Sequence, residues 1–103
     1  MRLLFASLLL SSMIASGAQA AGDATAGKHK AQACMGCHGS PGYSNVYPSY
    51  QVPKLGGQHA EYIVAALKAY AGQQRSHKTM HANAASLSDQ DMADIAAYFS
   101  GYE

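Results

Sequence analysis

The sequence predicts an all-α domain. Three stretches carry apolar residues at helical spacing, and the segments between them show no strand alternation. From Ala21 onward, Leu, Ile, Val and Phe number only nine: Val46, Val52, Leu55, Ile63, Val64, Leu67, Leu87, Ile95 and Phe99. Nine among the 83 residues from Ala21 on is a share below the roughly 20% under which a chain is usually disordered. Disorder also needs a large net charge, which this chain lacks. Well-formed helices with so thin a core require something other than side chains to fill the interior.

Residues 1–20 stand apart. Met1-Arg2 is a short positive start, Leu3 to Leu10 is nearly all apolar, and Ala18-Gln19-Ala20 is an A-x-A cleavage site. This is the layout of a secretory signal peptide, cut before Ala21. The apolar run is interrupted by Ser11 and Ser12, and it falls short of the about 20 residues that span a bilayer. Removing these 20 residues from a chain of 103 leaves one small domain, residues 21–103.

The first helix is expected from about Asp23 to Cys34. Asp23 is a good N-cap. Ala24, Gly27 and Ala31 form a small-residue stripe. Gly costs about 1 kcal/mol relative to Ala in a helix, so Gly27 points to close passage of another helix, the alternative being a weak helix end. A segment rich in Gly, Pro, Ser and Tyr follows, from Gly39 to Gly57. The second helix is expected from about Gln58 to Ala71, with Tyr62, Ala66, Ala69 and Tyr70 on one face, Ile63 and Leu67 beside them, and Gly72 as terminator.

Residues 73–86 read as a second loop. The third helix is expected from Asp89 to about Gly101. Ser88 and Asp91 form a variant capping box, with Leu87 and Met92 placed as a hydrophobic staple. Met92, Ile95, Ala96 and Phe99 then repeat at i, i+3, i+4 and i+7.

Charge excludes some functions. Beyond residue 20, Lys28, Lys30, Lys54, Lys68, Arg75 and Lys78 balance Asp23, Glu61, Asp89, Asp91, Asp94 and Glu103. No basic excess points to nucleic acid or to a membrane surface.

Cys34-Met35-Gly36-Cys37-His38 holds the only two cysteines, as a C-x-x-C-H run. Two thiols at this spacing can add across the vinyl groups of one haem, and the following His can ligate its iron. A disulfide, a thioredoxin-like redox pair and a zinc site with a fourth ligand compete. The adjacent His38, the export signal and the thin core favour haem, a large apolar body able to serve as the missing core. The seven tyrosines would add bulk around it, and the two long loops should wrap it.

His38 is then the proximal ligand, and its other ring nitrogen needs an acceptor. For the opposite axial position the chain offers Met35, Met80 and Met92 beyond residue 20. Met35 lies inside the attachment segment, and Met92 belongs to the third helix's apolar stripe. Met80 lies in a loop with no periodic pattern to explain it. A second His is the competitor, with His77 and His81 in the same loop and His29 and His59 elsewhere, and an open position is the remaining alternative. His29, His59 and His77 are expected to be solvated side chains.

Taken in order, these motifs resemble the class I c-type cytochromes. They are Asp23-x-x-x-Gly27, the C-x-x-C-H run and Gly39, Pro53-x-Leu55-x-Gly57-Gln58-x-x-x-Tyr62, Gly72-x-x-Arg75, Met80, and Leu87-Ser88-x-x-Asp91-x-x-x-Ile95-Ala96-x-Tyr98-Phe99. The resemblance is greatest to small bacterial monohaem cytochromes c and to single halves of dihaem ones.

It implies three main helices and loops wrapped around one covalent haem c, fastened through Cys34 and Cys37. It further implies that the first and last helices cross near Gly27 against Tyr98, that the Pro53 carbonyl accepts the His38 ring N–H, that Leu55 packs on the haem, and that Met80 supplies the distal sulfur. Mitochondrial members carry many lysines around the haem edge. This chain has few basic residues, which implies a mostly apolar partner surface.

The expected function is that of a monomeric periplasmic electron carrier of a respiratory chain, not an enzyme, with no nucleic-acid partner. Its partners would be membrane oxidase or reductase complexes. The alternative is a haem c subunit of an oxidoreductase such as a flavocytochrome, with a flavin subunit as partner.

Overall fold

A computed structural model describes residues 22–102 of the chain. The expected export signal lies outside the described residues. Among them the fold is mainly helical: α1 (Ala24–Lys30), α2 (Gln32–His38), α3 (Ala60–Ala71), α4 (Lys78–Ala84) and α5 (Asp89–Ser100), with a hairpin of β1 (Ser44–Val46) and β2 (Ser49–Gln51). α5 packs on both α1 and α3, and α3 also packs on α4.

The ends of α1 and α5 follow from their caps. The Asp23 carboxylate accepts the Thr25 and Ala26 N–H groups at 2.9 and 3.3 Å. Ser88 Oγ accepts from Asp91 N at 3.0 Å, and Asp91 Oδ2 accepts from Ser88 N at 2.9 Å. The capping box is therefore complete, with Asp in the place usually taken by Glu. Met92, Ile95, Ala96 and Phe99 are all buried, as the helical period of α5 requires. With Ala31, Ile63, Leu67 and Ala84 they form the core.

α1 crosses α5 at Gly27. A Cβ on Gly27 would lie 1.9 Å from the Asp94 carbonyl oxygen and 3.0 Å from Tyr98 Cβ. No residue larger than Gly fits without separating the helices. Beside this crossing, Asp94 is buried and accepts three donors: Asp23 N at 2.8 Å, Lys30 Nζ at 2.6 Å and Gln90 Nε2 at 2.8 Å. Lys30 also reaches Asp91 at 2.9 Å. This network ties the start of α1 to the middle of α5. The Asp23 N–H first, then Lys30 and Gln90, hold the Asp94 carboxyl down at about 2.

The structure departs from the sequence expectations at four places. The first helix does not end at Cys34. It breaks at buried Ala31, where Cys34 N bonds back to Ala31 O at 2.8 Å, an i→i+3 tightening. It then continues as α2 through His38, so the attachment segment is helical.

The loop expected over residues 39–57 contains the β1–β2 hairpin, with Asn45 facing Tyr50 and a cis Tyr47–Pro48 bond in its turn. Three-residue strands are too short for their alternation to be seen, although Asn45 and Tyr50 are the half-buried members.

The loop expected over residues 73–86 contains α4. His77 occupies its N-cap position, and His77 Nδ1 accepts from Met80 N at 3.3 Å. In α3 the buried residues are Ile63 and Leu67, while Tyr62 is 53% exposed. An aliphatic side chain has no polar atom to satisfy, whereas Tyr62 keeps its hydroxyl near water. α3 ends at Gly72 as expected, but the left-handed residue is Gln73 (φ 64°).

A haem-binding cavity and its ligands

Helical geometry places residues at i, i+3 and i+4 on one face. Because α2 is helical, Cys34, Cys37 and His38 share a face, and all three line one cavity of about 500 Å³. Both thiols are free. Burial, and secondarily the neighbouring Cys37, pushes the Cys34 thiol above its usual value.

The cavity walls are mainly apolar. Val52, Pro53 and Leu55 come from the segment after the hairpin, Ile63, Ala66 and Leu67 from α3, Met80 from α4, and Ile95 and Phe99 from α5. The hydrophobic core is thus one wall of this cavity. Val46, one of the nine large aliphatic and Phe residues, is 88% exposed and contributes nothing to it. Of the seven tyrosines, only Tyr50, Tyr62 and Tyr70 line the cavity. Tyr47, at the hairpin turn, is 95% exposed.

His38 Nδ1 lies 2.8 Å from the Pro53 carbonyl oxygen. A carbonyl can only accept, so Nδ1 carries the proton and Nε2 keeps a free lone pair. That is the tautomer a metal-ligating His needs, with its outer nitrogen fixed. Leu55 is half-buried and lines the cavity.

Met80, half-buried, lines it from α4 and packs against the core. Its competitors are otherwise engaged. His81 donates from Nδ1 to the Tyr70 carbonyl at 2.9 Å and has Gln73 Nε2 at 3.3 Å from its Nε2. His77 lines the cavity. Its Nδ1 accepts the Met80 N–H, so in the neutral ring the proton sits on Nε2 and neither nitrogen offers a free lone pair. His77 is thus a cap and not the solvated side chain expected, whereas His29 and His59 are exposed.

These residues fit a covalently held haem. The donor set combines two free thiols, an imidazole with an open Nε2 and a thioether around an apolar cavity. The volume falls within the roughly 300–1,000 Å³ of cofactor sites. Lys54 and Arg75 carry the only fixed charges in the lining, both positive, which suits a ligand bearing carboxylates. Arg75 is held 4.6 Å above the Tyr70 ring. Among the described residues no three His, Cys, Asp or Glu side chains converge on a metal ion, and none of the helices could cross a membrane.

Helices enclosing an apolar cavity, with a C-x-x-C-H helix on its wall, define a covalent haem protein. The chain belongs to the cytochrome c family, whose model matches residues 20–101. It is 43% identical to cytochrome c4 of Pseudomonas aeruginosa over 99 residues, which cover 96% of this chain and 48% of that protein. It is 45% identical to cytochrome c-554(548) of Halomonas halodenitrificans over 86 residues, covering 81% of this chain and all of the relative.

The crystal structure of reduced recombinant cytochrome c4 from Pseudomonas stutzeri superposes with a TM-score of 0.59 at 26% identity, over 85% of this chain and 55% of that one. The chain therefore spans about half the length of the cytochrome c4 relatives it matches. It is a haem protein with haem c bound covalently through Cys34 and Cys37.

Proposed function

We propose that this chain is a periplasmic one-electron carrier, not an enzyme, whose haem iron is ligated by His38 and Met80. The observation that carries the reading is that α2 and α4 bring His38 and Met80 to one apolar cavity, with His38 Nδ1 already committed to Pro53.

A haem bound there supplies a one-electron couple. The chain's residues determine how that couple behaves. Cys34 and Cys37 fasten the group to α2, and the Pro53 carbonyl holds the His38 ring in one tautomer and orientation. Met80 presents a soft thioether, which favours the ferrous state and raises the potential relative to a second His. Leu55, Leu67, Ile95 and Phe99 restrict water around the site, which acts in the same direction. If His38 and Met80 both held the iron, no open position would remain on it for a substrate.

The export signal read in residues 1–20 supports the periplasm as compartment. The partners fitting this reading are redox proteins such as a membrane oxidase or reductase complex, met by a monomer. Tyr62, half-exposed while lining the cavity, supports a largely apolar contact with them.

The test is Met80→Ala. The variant should have a lower midpoint potential than the native protein, and its ferrous form should bind carbon monoxide. A variant with native potential and no carbon monoxide binding excludes Met80 as a ligand.

A further inference from the structure

We infer that His77 is a positioning residue for Met80. The inference rests on the reading of Met80 as the distal ligand. Met80 sits in the first turn of α4, a helix of only seven residues, Lys78–Ala84. So short a helix has little stability of its own, so what holds its first turn holds Met80.

One side chain caps the N-terminal end of that turn. His77 takes the N-cap position with extended backbone, and its Nδ1 accepts the N–H of Met80 itself at 3.3 Å. The ring is fixed in turn by two tyrosines. Tyr50 of β2 meets it edge-on with centroids 4.7 Å apart, and Tyr70 near the end of α3 does so at 6.3 Å. His77 therefore ties the Met80 turn to both the hairpin and α3. The hairpin has a purpose in this arrangement: it supplies Tyr50 to the wall that seats the cap.

A residue acting this way changes how often Met80 leaves the iron, not whether it can bind. A ligand that binds only the Met-off state has its apparent affinity scaled by the population of that state. Imidazole added to the ferric holoprotein is such a probe, read by absorbance along with the weak sulfur-to-iron band.

His77→Ala should bind imidazole about fivefold more tightly, the effect of one lost N-cap. His77→Asn, whose side-chain oxygen can accept the same N–H, should return to within about twofold of native. His77→Phe, which keeps a ring between the tyrosines but no acceptor, should behave as His77→Ala. The inference is overturned if all three variants bind imidazole as the native protein does. It is overturned equally if His77→Phe restores native affinity while His77→Asn does not, since packing rather than the cap would then act. Met80→Ala separates this failure from failure of the ligand reading: if that variant retains the sulfur band and native imidazole affinity, Met80 is not the ligand. Loss of the low-spin spectrum in His77→Ala with its retention in Met80→Ala would make His77 the ligand instead.

Discussion

Gly27 and Asp94 touch through their backbones: a Cβ on Gly27 would lie 1.9 Å from the Asp94 carbonyl oxygen. This contact sets the distance between α1 and α5, and α1 leads directly into the helix that carries the attachment cysteines. Gly27→Ala gains about 1 kcal/mol of helix propensity and must force the two backbones apart. Overpacking of this kind typically costs about 1–3 kcal/mol and occasionally more. Because the obstacle is backbone, which cannot turn aside as a side chain can, the net loss should be about 2 kcal/mol. Guanidinium denaturation of the ferric protein measures it, and an unchanged midpoint would show that the crossing is loose.

Asp94 should make the protein acid-sensitive. Its carboxyl is held at about 2, against an ordinary value of about 3.9. A carboxyl lowered by folding stabilises above its unfolded value, and that stabilisation disappears as pH falls through the folded value. Melting temperature should therefore drop between about pH 4 and about pH 2. Asp94→Asn should melt lower than native at pH 7 and lose less across that window. A slope equal to the native one would mean that the acid transition arises elsewhere.

The capping box at the start of α5 should be separable from the haem site. Ser88→Ala removes the acceptor of the Asp91 N–H and should cost about 1 kcal/mol. Asp91→Ala removes the reciprocal bond and one Lys30 contact. The double variant should lose less than the sum, because the two residues act as one unit. Equilibrium denaturation of the three variants checks this, and strict additivity would contradict the reciprocal box.

Haem attachment should be a condition of folding. The core that borders the cavity has few large members, with Ile95 and Phe99 the largest fully buried side chains. A Cys34→Ala, Cys37→Ala chain without haem would have to form the cavity wall with nothing against it. Far-ultraviolet circular dichroism should show it largely unfolded at 25 °C. A cooperative thermal transition in that variant would show that side chains suffice.

The elements legible in the sequence are those with strong local signals. α5 declares itself through Ser88, Asp91 and the stripe from Met92 to Phe99, and Asp23 marks the start of α1. The attachment residues are legible because haem chemistry requires two thiols and an imidazole in one order. α4 was hidden by His77, a residue not expected at an N-cap. Within α4 only half-buried Met80 and buried Ala84 recur at i and i+4, too short a run to show a period. Asp94 gave little local signal, because two of its three partners, Asp23 and Lys30, arrive from 71 and 64 residues away. The hairpin was equally silent, since Tyr50 acquires its role only when the fold brings His77 against it.

The proposed ligation is tested most directly by electrochemistry on the purified holoprotein. A His38 and Met80 pair in an apolar cavity predicts a single one-electron wave with a clearly positive midpoint potential. A strongly negative midpoint would contradict it and return the distal position to a histidine.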